Sequence, residues 1–80
     1  MKISVIKKLV ETYKLDELYQ AEKDLMDEKE LAIEVEGEDE GEKLTHILAS
    51  IWIVHEMEKN KLDFKTALRE YTKKVRSSID

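Results

Sequence analysis

The segment Leu44–Met57, LTHILASIWIVHEM, sets the terms for the rest of the chain, because it carries apolar side chains on every side of a helix. At about 100° per residue, Leu44, Ile47, Leu48, Ile51, Trp52 and Val54 cover one broad face, while Ala49, Ile53 and Met57 gather nearly opposite. A helix apolar all round is a buried one, so this segment reads as a central rod that the other segments wrap. Its second sector, Ala49, Ile53 and Met57, is either covered by the chain's other helices or left open as a candidate dimer seam.

Upstream, Ile3, Ile6, Leu9, Val10 and Tyr13 recur at helical spacing and predict an amphipathic helix over 2–13. Continuing that phase would bury Lys14, Glu17 and Asp24. A fresh phase from Leu15 gathers Leu18, Tyr19, Leu25 and Met26 instead, which predicts a break near Lys14 and a second helix over 16–29 with Asp16 as its cap. The period then changes to two: Leu31, Ile33 and Val35 alternate with Ala32, Glu34 and Glu36, the pattern of a short half-buried strand. The chain offers it no partner strand, so 31–36 reads as an extended arm lying across the helices, in preference to a strand paired with its copy in a second subunit. Asp39 and Glu42 have the form of a capping box and open a helix over 40–58. After the polar run EKNK, Asp63 caps a last helix over 63–78, whose apolar stripe is Phe64, Leu68, Tyr71, Val75 and Ile79. The expected fold is all-α: a small four-helix bundle around a central buried helix, with one short extended arm between helices 2 and 3, in a single domain spanning 1–80.

Eighty residues build only a marginal core, and the absence of Cys removes disulfides and thiolate metal sites as supports. Self-association is the support that remains, so a homodimer is expected. Lys7 and Lys8 interrupt the apolar run at the start, which therefore does not read as a signal peptide. The longest uncharged stretch, Leu44 to His55, is twelve residues, short of the roughly 20 that a membrane span needs. No membrane association and a cytoplasmic location are the expectations.

The net charge of −5 is unevenly spread. Residues 1–58 carry seven Lys or Arg against sixteen Asp or Glu, whereas Lys59, Lys61, Lys65, Arg69, Lys73, Lys74 and Arg76 face only Asp63 and Glu70 over 59–79. The two parts either neutralise each other, within or between subunits, or the basic helix is offered to an acidic partner. Lys65, Arg69, Lys73 and Arg76 form one row opposite the apolar stripe and are the candidate interaction surface.

Other constellations argue mostly against chemistry. A helix-turn-helix at the N-terminus would turn Glu17, Glu22, Asp24, Asp27, Glu28 and Glu30 toward phosphate, where binding needs cations. Nucleic acid is therefore not expected there. Glu36, Glu38, Glu40 and Gly41 match the early positions of a calcium loop, but its clamping twelfth position is Ile47. His46 and His55, nine residues apart, point in nearly opposite directions on a helix; Glu42 and His46, at i and i+4, would need a third ligand from another subunit to hold a metal. His55 reads as a core-edge histidine bonded to a backbone or Tyr oxygen. No triad spacing and no phosphate-binding glycine loop occurs, so no catalytic residue, cofactor or metal is assigned.

The blocks IEVEGEDEGEKLTHILASIWI and LDFKTALREYTKKVRSSI resemble a family of short uncharacterised bacterial proteins, a domain of unknown function, with a likeness running nearly end to end. The resemblance implies a cytoplasmic bacterial protein standing alone as a whole gene product, and it implies no activity. The function expected is that of a non-catalytic interaction or accessory protein that self-associates and meets a protein partner through the basic row or the acidic loop. A metal- or ligand-binding module on Glu42, His46 and His55 is the alternative, and a nucleic-acid-associated protein using the basic row ranks lower.

Overall fold

The computed structural model describes residues 2–79, with 77–79 described by backbone alone. Four helices follow in order, α1 (Ile3–Thr12), α2 (Leu15–Met26), α3 (Glu40–Asn60) and α4 (Phe64–Ile79), with no strand among the described residues. The architecture is a small all-α bundle in which α1, α2 and α4 each pack on α3. None of these helices is long and apolar enough to cross a membrane.

The ends of α3 follow from local chemistry. Asp39 accepts a hydrogen bond from the Glu42 N–H at 2.7 Å, so the carboxylate side of the expected capping box is in place. The helix runs on through Lys59 and Asn60, two residues past the expected end at 58, and stops at Lys61, whose φ of 53° is left-handed. There the Leu62 N–H folds back onto the Met57 carbonyl at 3.1 Å, a Schellman-type ending.

Helix α2 differs from expectation at both ends. Its cap is Lys14 and not Asp16, with Glu17 accepting from the Lys14 backbone N–H at 3.0 Å. A lysine side chain has no acceptor to return, so only half of a capping box forms. The helix ends at Met26 and not near Lys29, because Glu28 turns left-handed at φ 58° and the Lys29 N–H bonds the Asp24 carbonyl at 2.8 Å.

Residues 31–36 form the expected arm, though irregular and bent near 32 and 33. Leu31 and Ile33 are half-buried and Val35 is buried, while Ala32, Glu34 and Glu36 are exposed, which preserves the alternation. Side chains supply the partners that a second strand would have given. The Tyr13 hydroxyl accepts from the Glu34 N–H at 3.3 Å, and the His46 Nδ1–H donates to the Glu36 carbonyl at 2.9 Å. Beyond the arm, Gly37 passes so close to α3 that a Cβ would stand 2.8 Å from Lys43 Cγ and 3.0 Å from its backbone nitrogen.

Two apolar clusters share α1 and α3. Val5, Leu9, Leu18, Ala21, Val35, Ile47 and Ile51 make the first, joining α1, α2 and the arm to one side of α3. Ile6, Ala49, Ile53 and Ala67 make the second, joining α1 and α4 to the other side, with Val10, Trp52, Met57, Phe64 and Tyr71 packed around them. Ala49 and Ile53 are 0% exposed within one chain. Ala49 and Ile53 are therefore covered by the chain's own α1 and α4, the first of the two alternatives for this sector, while Met57 stays half-buried at its edge. The rod is also less completely wrapped than its composition predicts. Three helices cover three sides of α3, and Leu48, 45% exposed, and His55 lie along the strip left open.

The basic outer face of the last helix

Helix α4 starts at Asp63, whose carboxylate accepts from the Thr66 N–H at 2.8 Å. The Thr66 side-chain bond, then the backbone one, holds the Asp63 carboxyl below its ordinary 3.8. A depressed acid stabilises the fold above its unfolded value and loses that contribution as pH falls through the folded one. Acidification below pH 3.8 should therefore fray α4 at its start. Asp63→Asn should flatten this part of the acid profile, read from the thermal midpoint of each protein against pH; identical profiles would remove the charge of Asp63 from the account.

The inner side of α4 packs as its stripe predicts. Ala67 is fully buried, Phe64, Leu68, Tyr71 and Val75 are half-buried, and the side chain of Ile79 lies outside the described residues. Trp52 of α3 and Tyr71 meet at 5.6 Å between ring centroids, and burial pushes the Tyr71 hydroxyl above 10.0. Lys74 Nζ sits 5.7 Å from the centroid of the Trp52 ring.

The outer side carries Lys65, Arg69, Lys73 and Arg76, all exposed. With Leu68 and Thr72 they line a shallow groove of about 400 Å³. Successive members stand four, four and three residues apart, the spacing at which like charges on a helix repel. None of the four forms an ion pair with a described residue, although the charge of Lys65 is felt by Asp63. Among the described residues, no ion pair neutralises the row. Leu68 was legible as part of the apolar stripe; that it stays only half-buried and, with Thr72, borders the cations in a groove depends on how α4 packs against α3.

The histidines are committed elsewhere. His46 is fully buried, and both ring nitrogens are used: Nδ1–H donates to the Glu36 carbonyl, and Nε2 accepts from the Lys2 N–H at 3.0 Å. These partners fix the neutral Nδ1–H tautomer, since Nε2 must keep its lone pair. His46 thus ties the start of α1 and the arm to α3, and its own carbonyl accepts from the buried Ser50 hydroxyl at 2.7 Å. His55 meets the Tyr19 hydroxyl of α2 through Nε2, with the rings edge to face; of the backbone or Tyr oxygen expected for it the partner is a tyrosine, but the residue is exposed and not at the core edge. Glu42, His46 and His55 are not brought together, and the described residues contain no group of three or more His, Asp or Glu able to hold a metal ion. Ile47, at the clamping position of the calcium pattern, lies within α3 and is fully buried.

A family model, DUF6952, described as a family of unknown function, matches residues 1–80. The chain belongs to DUF6952. Membership covers both of the quoted blocks and carries no activity with it. No curated protein and no solved structure matches the chain.

Proposed function

We propose that this DUF6952 chain is a non-catalytic interaction protein of the bacterial cytoplasm, whose working surface is the outer face of α4 and whose partner is an acidic protein surface. The observation that carries this is the row Lys65, Arg69, Lys73 and Arg76, four like charges at repelling spacing with no ion-pair partner among the described residues, set around Leu68 and Thr72. An acidic partner relieves the repulsion and covers Leu68 at the same time. The metal-module alternative finds no support in the placement of Glu42, His46 and His55, because His46 has no free nitrogen and His55 faces Tyr19.

An amide NMR titration of the full chain with an oligoglutamate peptide, and in parallel with duplex DNA, tests the reading. The peptide is expected to shift signals of residues 65–76 in a salt-sensitive way. Lys65→Glu combined with Arg69→Glu is expected to weaken that binding by about tenfold or more, equivalent to about 1.4 kcal/mol. Tighter binding to DNA than to the peptide would transfer the face to nucleic acid, and no shift with either would overturn it.

A further inference from the structure

We infer that the acidic surface fitted to this face is presented by a second copy of the chain, along the outer side of α2. This identification of the partner rests on the interaction reading of α4. Two rows of the chain correspond. On α4, Lys65, Arg69, Lys73 and Arg76 fall at positions 0, 4, 8 and 11; on α2, Asp16, Gln20, Asp24 and Asp27 fall at the same intervals. Each row therefore spans about 16.5 Å at 1.5 Å per residue. Laid side by side in parallel, they set Asp16, Asp24 and Asp27 against Lys65, Lys73 and Arg76, and leave the Gln20 amide oxygen to accept from the Arg69 guanidinium.

The acidic row is available for this. Helix α2 turns Leu18, Ala21 and Leu25 toward the core, and Asp16, Gln20 and Asp27 are exposed on the other side, with Asp24 half-buried beside them and accepting from Gln20 at 2.9 Å. Within one chain the rows lie on different sides of the rod. The cluster that holds α2 uses Ile47 and Ile51 of α3, and the cluster that holds α4 uses Ala49 and Ile53, positions about 200° apart round a helix. The opposite charges that one copy separates, two copies bring together. With the two faces on different sides, the contact runs head to tail and does not close as a two-fold pair. Exposed ion pairs contribute little singly and are screened by salt, so the association is weak and disappears at high ionic strength.

Sedimentation of the full chain at low and high salt, with circular dichroism to verify folding, provides the test. At low salt the apparent mass is expected to rise with concentration past twice 9.4 kDa and to return to the single-chain value in high salt. Lys65→Glu with Lys73→Glu, and separately Asp16→Lys with Asp24→Lys, should each abolish association alone; an equimolar mixture of the two variants should restore it, as should the chain carrying all four substitutions. A wild-type chain that stays single at every salt concentration, or variants that associate unaided, would overturn the assignment to a second copy. Such a failure leaves the wider reading of α4 standing if oligoglutamate still shifts residues 65–76, and removes both if it does not.

Discussion

Ile53→Ala is expected to lower the stability of this chain by about 2–5 kcal/mol, while Leu48→Ala, five residues away on the same helix, is expected to stay within about 0.5 kcal/mol. Ile53 is 0% exposed, enclosed by residues of α1 and α4, so truncation leaves a cavity as well as losing the transfer energy of the removed carbons. Leu48 is 45% exposed and loses little by comparison. A domain of this size has a total stability of about 4–12 kcal/mol, so the first change is a large part of the whole. Urea denaturation midpoints of the two variants measure the contrast. Equal losses would mean that α3 is rotated from the position described, or that Leu48 is covered in solution.

The second large effect is expected at His46. Replacing it with Ala removes a buried ring and leaves the Lys2 N–H and the Glu36 carbonyl without their partner. About 2–4 kcal/mol is expected for the lost packing and the unpaired groups together. His46→Asn retains a donor near the Nδ1 position and should recover part of the loss by satisfying the Glu36 carbonyl. Nitrogen chemical shifts of the imidazole provide an independent check, with Nδ1 protonated and Nε2 bearing the lone pair. The opposite tautomer would dissolve the bridge between α1 and the arm, whatever the stability of the variants.

Both expectations concern α3, whose two halves of information come from different places. Its existence, its start at Asp39 and its apolar circumference were legible because they depend on neighbours within a few residues: a carboxylate three positions before an amide, and a run of side chains projected at a fixed angle. The stripe of α4 and the alternation of the arm were legible for the same reason. The end of α2 was not. A left-handed residue usually announces itself as glycine, and here it is Glu28, while both glycines of the chain lie at 37 and 41. The use of His46 was hidden too, because its partners are backbone groups that every residue possesses.

The candidate site divides along the same line. The basic row follows from spacing alone, since Lys65, Arg69, Lys73 and Arg76 must share a face of any helix that buries Phe64, Leu68 and Tyr71. Whether that row finds carboxylates within its own chain depends on where the acidic segments pack, and hydrophobic periodicity does not specify the sides of the rod to which α2 and α4 go. Likewise, Ala49, Ile53 and Met57 were recognisable as an apolar sector but not as a covered one; that depended on α1 reaching both clusters at once. The sequence by itself determined the four helices, the caps at Asp39 and Asp63 and the charge each helix carries, because those are short-range consequences of chain geometry. Tertiary structure alone decided which faces meet, since burial is shared among residues far apart in the chain and has no local signature.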